Sequence, residues 1–265
     1  MDAVLTPQAF RNLLAGPAPV TLVDVRRADA FACDPVLMPG AVRRPPEDVL
    51  AWGPALPTWR PVVVYCAHGR DVGRDVAQTL RALGLQACCL AGGLDAWRES
   101  GGAVAPQRAP TRWVTRERPK IDRIACPWFI WRFVDADAVV DYVPANEVLA
   151  HAAATGATPF DVPDVAYSHA GERCSFDAFV ARHARGDGAL EALADIVRAA
   201  DTNRPGDAPQ AAGLLAVSLG LARLIASDHA LLHHALLVYD ALYAWCRDAR
   251  EERHGWDPAG LRNAA

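Results

Sequence analysis

The sequence predicts an α/β domain, built as a parallel sheet with flanking helices, followed by a mainly α-helical domain. Three observations carry this. Short apolar runs alternate with helical stretches over the first hundred residues. A segment with Gly-Gly, two prolines and few large apolar groups, Gly101 to Arg112, then breaks the pattern. Beyond it, alanine is abundant and apolar residues recur at helical spacing. The expected boundaries are 1–104 for the first domain, 105–112 for a linker and 113–265 for the second domain.

The elements follow in order. Thr6 to Leu14 is a short amphipathic helix with a Thr-Pro start. Val20 to Val25 is apolar enough for a buried strand, and Pro61 to Cys66 is a second such run. Asp71 to Leu83 is helical, with Val72, Val76, Leu80 and Leu83 on one face. Gln86 to Leu90 is a third strand, ending at Gly92-Gly93, and Leu94 to Glu99 starts another helix. Pro35 to Pro57 is proline-rich and reads as a long connection. An irregular stretch runs to about Tyr167. Helices then follow at Gly188 to Ala200, along the stripe Leu214, Val217, Leu221 and Leu224, and from His229 to Cys246. Trp128, Phe129, Trp131 and Phe133 read as core residues.

Composition narrows the function. The 265 residues are 52% apolar and 22% charged, the balance of a water-soluble globular chain. A formal charge of −4 gives no general argument for nucleic-acid binding. The first residues, Met-Asp-Ala-Val-Leu-Thr-Pro, show neither a basic nor an apolar leader segment. The longest apolar stretch, Ala211 to Ala226, is broken by Ser218 and Arg223, so no membrane span is expected. Seven scattered cysteines without a Cys-x-x-Cys pair argue against a disulfide framework or zinc ribbon. A reducing cytoplasm is the expected setting, with Cys66 a free thiol. Cys88 and Cys89, inside a predicted strand, read as core residues.

The clearest chemistry lies in Val62 to Val72, Val-Val-Val-Tyr-Cys-Ala-His-Gly-Arg-Asp-Val. Cys66 stands where a buried strand breaks into a turn and the turn opens a helix. Amide N–H groups at a helix start favour an anion in the preceding loop, here a thiolate. Ala67, His68, Gly69, Asp71 and Val72 supply the backbone of the cradle, and Gly69 lets it curl. Arg70 is placed to recruit an anionic donor.

Four motifs in order then resemble a rhodanese domain over residues 1 to 104: Leu22-Val23-Asp24-Val25-Arg26, Pro39-Gly40-Ala41-Val42, Cys66 to Asp71, and Gly92-Gly93-Leu94-Asp95-Ala96-Trp97. The resemblance implies the rhodanese fold and a cysteine that takes sulfane sulfur from a donor such as thiosulfate. That cysteine carries the sulfur as a persulfide and needs no cofactor. It also implies that Asp24 and Arg26 brace the domain near the loop. The stretch Asp34 to Ala41 lacks a His common in the family, and Asp71 stands where Arg, Ser or Thr often ends the loop. Cysteine phosphatases also use an anion cradle, but place Arg six positions after Cys, where this chain has Val72.

In the second domain, Trp113 to Trp128, Pro159-Phe160-Asp161, Ser168-His169, Cys174 to Asp177, Ala200-Asp201 and Tyr239 to Tyr243 resemble the C-terminal domain of the ChrB chromate-resistance family. The resemblance covers about residues 113 to 247. The usual ChrB N-terminal region is replaced here by the rhodanese-like one, so a DNA-binding role does not carry over. Arg116, Arg118, Lys120 and Arg123, with Arg112 nearby, form a basic cluster diluted by Glu117 and Asp122. It reads equally as a seat for an oxyanion such as chromate or as a solvated linker. Asp122, Cys126, His169 and Asp201, with Asp161 eight residues before His169 and Cys174 five after it, are candidates for one mononuclear metal or redox site, although dispersed polar residues bracing helices are the plainer reading of their spacing. His229 and His233, four apart, read as a half-exposed helix face.

The function expected is a sulfurtransferase fused to a chromate-resistance-associated domain, acting on small anions and not on nucleic acid or membranes. The alternative is a sensor or regulator that detects sulfane sulfur or chromate without turnover.

Overall fold

In a computed structural model, which describes residues 3–16 and 19–252, the chain forms two compact units, Met1–Thr111 and Arg112–Ala265. The first unit runs β1 (Val4–Leu5), α1 (Pro7–Leu14), β2 (Thr21–Asp24), α2 (Ala28–Cys33), β3 (Val36–Leu37), β4 (Val42–Arg43), α3 (Val49–Trp52), β5 (Val62–Tyr65), α4 (Asp71–Ala82), β6 (Ala87–Leu90), α5 (Gly93–Glu99) and β7 (Ala105–Pro106). Its sheet has the order β1-β6-β5-β2-β4, and every pairing in it is parallel.

Both faces of this sheet are covered, which is why its strands read as unbroken apolar runs. Side chains alternate between the faces. Val62, Val64 and Cys66 join a cluster with Val76 and Leu80 of α4. Val63 and Tyr65 point the other way, into a cluster with Phe10 of α1 and Leu94 and Trp97 of α5. The period of two therefore carries Cys66 to the α4 side.

The buried pair Asp24–Arg26 ties the end of β2 to the connection beyond it. Arg26 Nε donates to Asp24 Oδ2 at 2.8 Å, and its NH1 and NH2 donate to the carbonyls of Asp34 and Val36. Tyr65 Oη accepts from the Met38 amide at 3.2 Å. The proline-rich connection is thus better ordered than its composition suggests. It contains β3, β4 and α3, and β4 joins the sheet through Val23↔Val42. Part of the expected linker is also structured, because Ala105–Pro106 pairs antiparallel with Val36–Leu37 and Arg112 opens the next strand.

The second unit runs β8 (Arg112–Arg116), α6 (Ile121–Phe129), β9 (Val139–Val143), α7 (Val148–Thr155), β10 (Thr158–Pro159), α8 (Ser175–His183), α9 (Gly188–Asp201), α10 (Ala211–Leu224) and α11 (Asp228–Ala244). It is mostly helical, as its composition predicts. The stretch read as irregular is nevertheless a three-stranded parallel sheet, ordered β10-β8-β9. These strands are short and carry charged or proline residues (Arg112, Arg116, Asp141, Pro159), which hides them from an apolar-run criterion.

The core of this unit is aromatic. Trp128 lies 6.1 Å from Tyr239 and 5.9 Å from Tyr243, ring centre to ring centre. Phe129 meets Phe176 edge to face at 5.8 Å. Each such side chain contributes about 1.5–3 kcal/mol when fully buried. Trp131 and Phe133, expected in the core, are half-buried. The expected stripe on α10 is only partly inward: Leu214 is buried, whereas Val217 is 45% and Leu224 84% exposed. The inward face runs instead through Ala211, Leu214 and Ser218.

One buried polar node anchors the aromatics. Asp240 Oδ1 accepts from Trp128 Nε1 at 2.8 Å and from Arg132 Nε at 3.0 Å, and its Oδ2 accepts from Arg132 NH2 at 2.8 Å. Removing one partner strands a buried charge. Asp240→Ala is expected to cost about 3–5 kcal/mol, read as a lower urea midpoint at unchanged slope.

Candidate functional site

In the first unit the site forms where β5 ends. Cys66 is 7% exposed and follows the buried strand directly. The loop is clamped from behind by the turn that opens α5: the Leu94 amide donates to Cys66 O at 2.9 Å and the Asp95 amide to Ala67 O at 3.1 Å. The clamp needs two backbones in contact. A methyl group on Gly69 would fall 2.3 Å from the Gly92 nitrogen, and one on Gly93 would fall 2.2 Å from Cys66 O. Gly69 also has φ +63° and Gly93 φ +58°, conformations that L side chains resist.

The amide donors of this loop are not used within the protein. Among the described residues, no hydrogen bond is made by the amides of Ala67 to Val72. Arg70 precedes α4 without a side-chain cap, so the first-turn donors of that helix also lack a side-chain acceptor. The first turn of α4 lies against the cysteine, since a methyl group on Gly73 would sit 3.5 Å from Cys66 Sγ. Arg70 and Asp71 are exposed, and Val72 is half-buried. His68 is exposed and its Nδ1 lies 2.6 Å from Asp95 Oδ2, which fixes it to the clamp.

Cys88 and Cys89 lie on the neighbouring strand β6. Burial pushes Cys88 up to about 12 and Cys89 up to about 11, so both stay protonated at neutral pH. Both are fully buried, as core residues should be.

The second unit assembles a polar cluster from four distant segments. Asp122 sits in the first turn of α6 and is buried. Asp161 follows β10 with φ +53°, a left-handed conformation that is uncommon for Asp. His169 lies in the loop before α8, and Asp201 is the last residue of α9. His169 Nε2 is 3.4 Å from Asp122 Oδ2, 3.4 Å from Asp161 Oδ1 and 3.3 Å from Asp201 Oδ2. Asp122 Oδ2 also accepts from the Ser175 amide at 2.6 Å, and Ser175 Oγ donates to Asp161 Oδ1 at 2.9 Å. Asp122 raises the His169 pKa to about 9, with Asp201 and Asp161 adding to the effect. Burial, and then Asp122, raise that of Asp201.

Of the predicted ligands, Asp122, His169 and Asp201 converge, each offering one donor atom within 4.8 Å of the others. Cys126 stays outside the group: its thiol is fully buried and burial holds it protonated. The basic cluster does not gather as one surface. Arg116 NH2 and Arg123 Nε lie 2.8 and 3.3 Å from Asp161 Oδ2, so both are engaged inward. Arg112 pairs with Asp141 at 2.8 Å. The Arg118 amide donates to Asp228, and the side chains of Arg118 and Lys120 are exposed. His229 and His233 are exposed on α11. Asp161 joins the cluster as the sequence allows, the Cys174 thiol is fully buried and held protonated by burial, and Ser175 is the member that the sequence does not single out. The backbone at Asp161 and the loop to α8 bring Asp161 and Ser175 in, and neither has a spacing signal.

A single cysteine at a strand-to-helix loop, backed by a parallel sheet, is the arrangement of a rhodanese-like domain, and the model of that family matches residues 6–100. The chain belongs to the ChrB family through its second unit, where the model described as ChrB, C-terminal domain, matches residues 113–246. Protein ChrB from Cupriavidus metallidurans is 32% identical over 146 residues, covering 52% of this chain and 43% of the relative. The match therefore spans less than half of that relative's length. Solved structures similar to part of the chain include a rhodanese-like domain protein from Staphylococcus aureus (24% identity, 40% of this chain, all of that one, TM-score 0.35). Another is a protein of unknown function from Rhodopseudomonas palustris, described as a possible tyrosine phosphatase (26% identity, 38% of this chain, 83% of that one, TM-score 0.35).

The clamp makes a direct prediction. Gly69→Ala should lower stability by about 2 kcal/mol or more in thermal denaturation, because the opposing atoms are backbone and cannot yield. Gly40→Ala, also at positive φ but with open space around it, should cost only about 1–2 kcal/mol.

Proposed function

We propose that the chain is a rhodanese-type sulfurtransferase in which Cys66 carries sulfane sulfur, fused to a ChrB-type domain that places this activity in resistance to chromate. The observation supporting it is a run of unengaged amides, Ala67 to Val72, directly after a cysteine that abuts the start of α4. Such donors stabilise a thiolate, and then the outer sulfur of a persulfide, without reorganising.

In the proposed cycle the Cys66 thiolate attacks the outer sulfur of thiosulfate. An S–S bond forms to Cys66, the donor's S–S bond breaks, and sulfite leaves with the electron pair. A nucleophile such as cyanide then takes the outer sulfur and returns the thiolate. No redox change of the protein and no cofactor are needed. Arg70, exposed at the mouth of the loop, draws in the dianionic donor. Asp71 beside it disfavours highly charged donors, which bears on donor choice. The cytoplasm suits a thiol that must stay reduced, and all seven cysteines are free. Among the described residues no helix is long and apolar enough to cross a membrane.

The test mixes protein, thiosulfate and cyanide and measures thiocyanate. Wild type should turn over, and Cys66→Ala should lose on the order of 10³-fold or more. Mass spectrometry after donor exposure should find about 32 Da added on Cys66. If the adduct is absent and turnover survives in Cys66→Ala, the assignment is wrong. Arg70→Ala should raise KM for thiosulfate more than it lowers kcat, the pattern of a recruiting charge.

A further inference from the structure

We propose that Asp122, His169 and Asp201 hold one divalent transition-metal ion of the zinc class in the second unit.

The first argument is hydrogen-bond arithmetic. Three carboxylate oxygens stand 3.3–3.4 Å from one ring nitrogen, His169 Nε2. That nitrogen carries at most one proton and serves one acceptor well, so hydrogen bonding does not account for three equal approaches. The approaches of Asp122 Oδ2 and Asp201 Oδ2 to that nitrogen do match a ligand-to-ligand edge around a tetrahedral metal, whereas Asp161 Oδ1 is already engaged by Ser175 Oγ. Bonds of about 2.05 Å give an edge of about 3.3 Å.

The second is charge. Asp161 is offset by Arg116 and Arg123 through its Oδ2. Among the described residues, Asp122 and Asp201 make no salt bridge to Lys or Arg; both carboxylates meet His169, and each also accepts a backbone amide, that of Ser175 at Asp122 and that of Asp122 at Asp201. Two carboxylates and one imidazole without a Lys or Arg salt bridge form a donor set suited to a divalent cation.

The third is an orphaned atom. Asp122 is 2% exposed, and its Oδ1 has no hydrogen-bond partner. A buried carboxylate oxygen without a donor is costly, and a metal ligated by that side chain relieves the cost. Asp161 and Ser175 then form the surrounding shell. Ser175 Oγ donates to Asp161 Oδ1, and the Ser175 amide orients the Asp122 carboxylate.

The site is open on one side. His169 is 43% and Asp201 21% exposed by side chain. Three protein ligands with an open position leave room for a water molecule or a small anion, as in catalytic rather than structural zinc sites.

The test uses the full chain without an affinity tag, in the Cys66→Ala background so that the reactive thiol cannot bind the ion. After chelator treatment, Zn²⁺ is titrated by calorimetry and melting temperature is followed with and without it. One ion per chain should bind, with a rise in melting temperature that scales with free Zn²⁺. His169→Ala should weaken binding at least tenfold and Asp122→Asn at least a hundredfold, whereas His229→Ala and His233→Ala should change nothing. Mg²⁺ should not compete, since it favours all-oxygen octahedral sites. The His169 side chain is partly exposed, so His169→Ala should keep the wild-type far-ultraviolet spectrum and decides the matter if Asp122→Asn does not fold. Absence of binding, or undiminished binding in His169→Ala, overturns the proposal. Because Cys66 lies in the other unit, the thiocyanate assay and this titration succeed or fail independently.

Discussion

The first unit depends on two glycines that let two loops touch. Gly69 and Gly93 each occupy a point where a side chain would overlap opposing backbone within 2.3 Å. That contact allows the α5 turn to donate to the carbonyls of Cys66 and Ala67. With those carbonyls engaged from behind, the amides of Ala67 to Val72 are left without protein acceptors. The clamp thus fixes the loop from behind while its own amide donors stay unused. The sheet contributes the rest: the strand period sends Cys66 to the α4 face and the Asp24–Arg26 pair fixes the segment beyond β2.

This unit was legible in the sequence because its elements are locally consistent. Buried parallel strands give apolar runs, helix starts follow glycine-containing loops, and each motif lies within a few residues. What escaped was short pairing. β4 and β7 have two residues each, too few for any periodicity to register. The second unit was readable in its helices and opaque in its sheet. β8 carries arginine at both ends, and β9 contains Asp141, whose carboxylate is satisfied by Arg112 and His151. Tertiary pairing accommodates charges that local propensity counts against a strand. The exposed Val217 and Leu224 show the converse, a helical period that names a stripe without saying which part faces the core.

The polar cluster marks a deeper limit. Asp122, Asp161, His169 and Asp201 come from a helix start, a strained loop, a second loop and a helix end. No two of them share a spacing that chemistry requires, so the sequence offers them only as candidates. Arg116 and Arg123 illustrate the matching error. As a string they are a basic patch open to anions, but in the fold they are spent on Asp161.

Two buried carboxylates in the second unit make the distinction between scaffold and site physical. Asp240 has the Trp128 indole and the Arg132 guanidinium on its oxygens, and its charge is balanced where it stands. Asp122 is equally shielded from water, but one oxygen has no donor and its only facing cation-former is a partly exposed histidine. Folding tolerates the first because every lone pair that matters is met. It tolerates the second only at a cost, and that contrast is what sets Asp122 apart from a purely structural carboxylate. The aromatic core around Asp240 and the acidic pocket around Asp122 are joined through α6, since Tyr239 Oη donates to Ile121 O immediately before Asp122. The rigidity around the fully satisfied carboxylate thus helps hold in place the one with a free oxygen.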